Sequence, residues 1–270
     1  MVLDIILAGI FGIVVGSFLN VVALRLRTGR GLGGRSSCAS CNTVLKWHEL
    51  IPVVSFLVQK GRCHSCHTRI SVQYPLVELL TGVLFALSMW KAFTMGIFVP
   101  FHAVHLMSIV SILVVIFVYD IRHTIIPDSF VYAFAALALL YGFAPYALIP
   151  YGAWWYTPLS GILTALPFAI LWFVSAGRWM GFGDAKLSLG IGFMLGILGG
   201  FSAIVWSFWI GAVVSLLLMF VSKTRLRRGG VGLTMKSEVP FAPFLIIGLL
   251  FVLFSSVDLL TLISFLSSLS

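Results

Sequence analysis

Four cysteines and a few aspartates are the side chains in this sequence best suited to chemistry. Cys38-Ala39-Ser40-Cys41 and Cys63-His64-Ser65-Cys66 are two C-x-x-C knuckles with 21 residues between them. One knuckle offers two thiolates to an ion, and two knuckles complete a tetrahedral four-thiolate zinc site. The intervening stretch is one residue beyond the usual zinc-ribbon range. Four thiolates leave no open coordination position, so the metal expected at Cys38, Cys41, Cys63 and Cys66 is structural. The competing readings are a pair of redox-active motifs or four unligated thiols. His64 and His67 beside the second knuckle are substitute ligands or simply solvent-exposed side chains.

Asp120 lies in Tyr119-Asp120-Ile121-Arg122-His123-Thr124-Ile125-Ile126-Pro127-Asp128. Pro127 cannot continue a helix, and Asp128-Ser129 offers an N-cap to the next one, so capping accounts for Asp128. Asp120 has no such account, because a helix C-terminus disfavours a carboxylate. Pairing with Arg122 is its structural alternative. Asp184 lies in Gly181-Phe182-Gly183-Asp184-Ala185-Lys186. Gly181 and Gly183 permit turns closed to other residues and a close approach of backbone to a partner. A plain glycine turn with Asp184 as a cap is the alternative there. Two aspartates on different helices at one membrane face can converge, and two carboxyls in one site divide the acid and base roles. One then activates water and the other assists the departing amide, without a covalent intermediate or a catalytic metal. Lys186 and Arg122 read as snorkelling or lipid-facing cations. Asn20 and Glu78 either hold a substrate amine or cofactor, or hydrogen-bond neighbouring helices.

The elements that must position these groups are membrane helices. Of the 270 residues, 60% are hydrophobic and 9% charged, and mean hydropathy is +1.12. A soluble domain carries about 25% charged residues. A spanning helix needs about 20 mostly apolar residues. The expected spans are 5–24, 75–90, 102–119, 130–149 and 158–176, then two within 187–222 separated at Gly199-Gly200, and 241–263. The fold class is therefore an all-α polytopic membrane protein of about eight transmembrane helices, with a small zinc-ribbon-like cytoplasmic insertion. The expected domains are 1–24 (first helix), 25–73 (four-cysteine insertion) and 74–270 (seven-helix core).

With the insertion inside, the inner loops are 25–73, 120–128, 177–186 and 222–239, and every Lys and Arg except Lys91 falls in them. That asymmetry follows the positive-inside rule and places both termini outside. The net charge of +9 then reflects cations facing anionic lipid of the cytoplasmic leaflet, not nucleic acid. The basic stretch 223–228 is the expected lipid contact. The first 20 residues lack a basic n-region and run on as a full span, so no cleavable signal peptide is expected. There is no solenoid repeat and no low-complexity tract.

Together these residues resemble the type IV prepilin peptidase family, the bacterial GxGD aspartic leader peptidases. The resemblance runs through Gly16-Ser17-Phe18-Leu19-Asn20-Val21-Val22, both knuckles, Trp47-His48-Glu49-Leu50-Ile51-Pro52 and Tyr74-Pro75-Leu76-Val77-Glu78-Leu79-Leu80. It continues through the Asp120 segment, Gly181-Phe182-Gly183-Asp184 and Pro240-Phe241-Ala242-Pro243-Phe244. The order and spacing of these pieces are more specific than any one of them. Arg27 and Ala39 stand where the family often has proline.

The resemblance implies an enzyme of the bacterial inner membrane. It would cut the basic leader from type IV prepilins or pseudopilins after a glycine, at the cytoplasmic face. It would then N-methylate the new terminus using S-adenosylmethionine. The resemblance also implies that Asp120 and Asp184 are the catalytic pair, and that Pro127 and Asp128 belong to the motif without joining the pair. No glycine-rich Rossmann fingerprint accompanies the methyl donor. Two other classes compete. A transporter or proton channel places its carboxylates near the midplane, unlike these. A non-catalytic assembly factor would depend on its cysteines and not on its aspartates.

Overall fold

The computed structural model describes residues 1–26, 31, 33–38, 40–96, 98–145, 147, 155–226, 240–258 and 261, without the side chains of 221–226. The basic stretch 223–228, Arg27 and Ala39 therefore lie outside the described side chains. Contacts divide the chain into two compact units, Met1–Val118 and Tyr119–Ser270.

The first unit holds α1 (Val2–Arg25), a 3-10 turn (Trp47–Leu50), α2 (Val54–Val58), α3 (Gln73–Met95) and most of α4 (Val99–His123). α1 and α3 pack closely because Gly12 and Gly16 present no side chain. A Cβ at Gly12 would meet Phe85 Cβ at 2.7 Å, and one at Gly16 would meet Glu78 Cα at 2.9 Å. Small residues four apart allow such an approach in lipid, where hydrophobicity alone does not drive helices together.

The second unit holds the end of α4, then α5 (Asp128–Gly142), α6 (Tyr156–Ser175), α7 (Phe182–Leu226) and α8 (Ala242–Ser255). α7 packs on α6: Ser160 Oγ donates to the Gly192 carbonyl at 2.8 Å. The N-cap residue of α8 is held by aromatic rings. Phe241 lies 5.0 Å from Phe208 and 6.1 Å from Phe168, between centroids.

Among the described residues α1, α3, α4, α6 and residues 182–220 of α7 are long and apolar enough to cross a membrane, and α5 and α8 are shorter apolar helices. α7 is interrupted by non-helical geometry at Gly196 (φ 74°, ψ −174°). Counting its halves separately, eight apolar helical segments follow one another in the expected order. The break itself differs from expectation. Gly199 and Gly200 stay helical, and a Cβ at Gly200 would meet Thr164 Cγ2 at 2.6 Å. Those glycines serve helix packing, while Gly196 supplies the positive φ that other residues rarely adopt.

Candidate functional site

The two knuckles are near-copies of one local structure. Cys38 N–H donates to the Thr43 carbonyl (3.0 Å) and Asn42 N–H to the Cys38 carbonyl (3.0 Å). Cys63 N–H donates to Thr68 (2.9 Å) and His67 N–H to Cys63 (3.0 Å). Asn42 and His67 both take φ 55°. His67 is therefore a turn residue, and it and His64 are exposed.

The four Sγ atoms lie within 4.8 Å of one another, with Cys38 and Cys66 at 3.8 Å. Zinc–sulfur bonds of about 2.3 Å place tetrahedral sulfurs about 3.8 Å apart, so the thiols fit a structural zinc ion. Thr68 Oγ1 lies 3.3 Å from Cys66 Sγ. That hydrogen bond is the largest cause pulling the Cys66 thiol down to about 6, which favours the thiolate a metal requires.

Arg25 anchors the chain ahead of the first knuckle, its Nη1 donating to the carbonyls of Gly31 (3.0 Å) and Gly33 (2.9 Å). Behind the insertion, Val53 N–H donates to Glu78 Oε2 at 2.7 Å, and Ser17 also hydrogen-bonds Glu78. Asn20 Nδ2 donates to the Tyr74 carbonyl at 3.2 Å. Asn20 and Glu78 thus both link α1 to α3. Asn20 Oδ1 is buried and has no partner among the described residues.

The aspartates lie in the second unit. Asp120 sits in the last turn of α4, and Asp184 in the first turn of α7; they are 3% and 8% exposed. The Ala242 N–H, at the start of α8, donates to the Asp120 carboxyl. Asp120 Oδ2 and Asp184 Oδ1 are buried without a hydrogen-bond partner among the described residues, and the two carboxyls interact electrostatically. Buried polar atoms are nearly always partnered, so a buried pair with open acceptors is suited to hold water or substrate.

Local structure explains how the segments reach this arrangement. α4 ends where Thr124 takes φ 51° and donates its N–H to the Asp120 carbonyl at 2.8 Å. Ile126 of the following loop lies against Gly183, where a Cβ would meet Ile126 Cβ at 3.0 Å. Gly183 is thus needed for close approach. Gly181 meets only the Gly183 nitrogen at 4.0 Å, and neither glycine has positive φ, so the expected special turn is absent there.

The expected cap by Asp128 is also replaced. Pro127 occupies the N-cap position of α5 without a side-chain cap, and Asp128 is the first residue of the helix. Its Oδ1 accepts a hydrogen bond from Lys186 Nζ at 2.7 Å. An ion-pair partner outcompetes a backbone N–H for this carboxylate. Lys186, expected to face lipid, is 5.0 Å from the Tyr132 ring centroid and 5.4 Å from that of Phe182.

Two features of the site escaped the sequence reading. The Ala242 N–H is a backbone donor, signalled only by Pro240 and Pro243 around a helix start. Ser188 carries a buried hydroxyl without a partner among the described residues. It stands one helical turn beyond Asp184, and that i, i+4 spacing was its available signal.

The architecture and site define a class: an all-helical polytopic membrane protein with a buried carboxyl pair and a four-cysteine cluster. Two family models match it, Bacterial Peptidase A24 N-terminal domain over residues 10–92 and Type IV leader peptidase family over residues 106–216. The chain belongs to the type IV leader peptidase family. It is 33% identical over 244 residues to a protein of Bacillus subtilis (strain 168) named prepilin leader peptidase/N-methyltransferase, covering 88% of this chain and 89% of that one. A protein of the same name from Neisseria gonorrhoeae is 30% identical over 269 residues, covering 87% and 89%. One from Pseudomonas aeruginosa is 29% identical over 274 residues, covering 88% and 86%. No solved structure matches the chain.

Proposed function

We propose that this protein is a prepilin leader peptidase and N-methyltransferase of the bacterial inner membrane, working at the cytoplasmic face with Asp120 and Asp184 as its catalytic pair. Its substrates are type IV prepilins or pseudopilins, cut after glycine. The observation that carries the peptidase reading is the pair itself: two buried carboxyls on α4 and α7, interacting, each with an open acceptor.

One carboxylate takes a proton from water as the water oxygen attacks the scissile carbonyl carbon. The other carboxyl gives a proton to the amide nitrogen as the C–N bond breaks. The Ala242 N–H orients Asp120, and Gly183 lets the 124–127 loop close beside Asp184. Gly181, Pro127 and Asp128 complete the motif around the pair. Residues 1–24 are the first span, 25–73 the zinc insertion and 74–270 the membrane core.

The second activity is carried by the names of the relatives. S-adenosylmethionine, when bound, supplies the methyl group. Asn20 Oδ1 is a buried acceptor without a partner among the described residues, a fit for an amine of the methyl donor or of the new N-terminus. Glu78 already accepts from Val53 and Ser17, and its part is to hold the insertion on the helices. Zinc keeps that insertion folded.

The test is incubation of the purified protein with a prepilin, with and without S-adenosylmethionine, followed by mass measurement. Loss of the leader after glycine, and one added methyl only with the donor, are expected. An unchanged prepilin would overturn the reading.

A further inference from the structure

Between Trp47 and Val58 the insertion turns apolar side chains outward, with His48 exposed among them and Val53 and Phe56 half-buried. Trp47, Leu57 and Val58 are 79%, 68% and 75% exposed, and Leu50, Ile51 and Val54 are exposed as well. Over the same stretch Glu49, Ser55 and Gln59 are only half-exposed. Six exposed apolar side chains within twelve residues are a concentration of the kind that marks an interaction surface. In water such a segment would turn its apolar side inward.

The hydrogen-bond pattern says what covers it. Val53 N–H is fastened to Glu78 Oε2 at 2.7 Å. Glu78 is the sixth residue of α3, a spanning helix of 23 residues. Such a helix is about 34 Å long and Glu78 lies about 8 Å from its start, while the hydrocarbon core is about 30 Å thick. The segment is thus pinned at the depth where headgroups give way to acyl chains. Val53 takes φ 62°, unusual for a β-branched residue, and such backbone strain persists only where surrounding contacts impose it. Lys46 and Lys60, both exposed, flank the patch. Their stems can lie along acyl chains with their ammonium groups among anionic headgroups. An indole at this depth has an apolar body in lipid and a polar edge in the headgroups.

The geometry points to residues 47–58 as a monotopic foot that seats the zinc insertion in the membrane interface, with an anionic lipid surface as its partner. The apolar face enters the outer acyl region, and the Val53–Glu78 hydrogen bond couples the seated insertion to α3. This surface stands independently of the leader-peptidase reading, because it needs only α3 as a spanning helix.

The experiment reconstitutes the zinc-loaded full chain in phosphatidylethanolamine–phosphatidylglycerol vesicles, with or without acyl chains brominated near the headgroup. Wild type and Trp47→Phe are compared, so that their difference in emission isolates Trp47 from the other tryptophans. That difference signal should fall by more than half in brominated vesicles. Equal emission in both lipids would overturn the proposal. So would shielding of Trp47 that appears only when a prepilin is added, which would make the patch a docking site for the substrate helix. As a second measurement, Leu57→Glu with Val58→Glu should keep its zinc while amides 47–58 exchange several-fold faster in vesicles. Unchanged exchange in that zinc-loaded variant would also overturn the proposal.

Discussion

Lys186 Nζ donates to Asp128 Oδ1 at 2.7 Å and so ties the start of α7 to the start of α5. Lys186 follows Asp184 by two residues, a turn of about 200° around the helix. Its ammonium is therefore directed away from the Asp184 carboxyl and is matched by another acid. The tie holds in place the chain that leads from Asp120 to α5.

Asp128 is 57% exposed at its side chain, and exposed ion pairs contribute only about 0–1 kcal/mol to stability. Lys186→Met should therefore insert and fold as wild type does. Small displacements of reacting groups cost far more in rate, so kcat for prepilin cleavage should fall about tenfold with KM little changed. Exchanging the charges, Asp128→Lys with Lys186→Asp, should recover part of the loss. Wild-type kcat in Lys186→Met would show that the tie is dispensable.

Asp120→Asn and Asp184→Asn should each lower cleavage by about 10²–10⁴-fold, the range expected for loss of a general acid or base. Membrane insertion and zinc content should not change. A non-catalytic assembly factor would show the opposite pattern, with cysteine substitutions mattering and these two silent. Product masses from the purified variants decide between them.

Gly183→Ala should impair cleavage, because the new Cβ meets Ile126 Cβ at 3.0 Å. Gly183→Val should impair it further. Gly181→Ala has open space and should keep most activity. If the cause is the clash, Ile126→Ala combined with Gly183→Ala should cleave faster than Gly183→Ala alone. Equal rates would place the defect elsewhere.

Removing zinc with a strong chelator, or by Cys38→Ser, should unfold the insertion and reduce methylation more than cleavage. Mass measurement of the product separates the two losses. The pH dependence follows from Cys66, whose thiol is lowered from 9.0 to about 6, chiefly by Thr68. A lowered value in the folded insertion contributes stability that is present above the unfolded value and is lost as pH falls through about 6. Proton competition at Cys66 of the metal-free insertion should therefore weaken zinc affinity as pH falls through that value, and Thr68→Val should move the midpoint upward. An unmoved midpoint would remove the threonine from the account.

Much of the site was legible because its signals are local. A C-x-x-C spacing is a statement about one turn of chain, and both knuckles form as spacing predicts, down to matching turns at Asn42 and His67. Apolar run length depends only on hydrocarbon thickness, so the order of helices was readable. Where several local solutions compete, packing chose. Gly196 takes the positive φ that interrupts α7 while Gly200 stays helical against Thr164, and Asp128 pairs with Lys186 instead of capping α5.

By itself the sequence determined a lipid-embedded helical chain, a four-thiolate cluster and two aspartates, of which Asp120 is one that no capping rule explains. These follow from residue type, spacing and hydropathy, which act over a few turns of chain. Only the tertiary structure decided that Asp120 and Asp184 share surroundings, that the Ala242 N–H meets one of them, and that Glu78 fastens the insertion to α3. Those relations join residues from 25 to 122 positions apart. No propensity reaches that far, so they exist only once helices have packed.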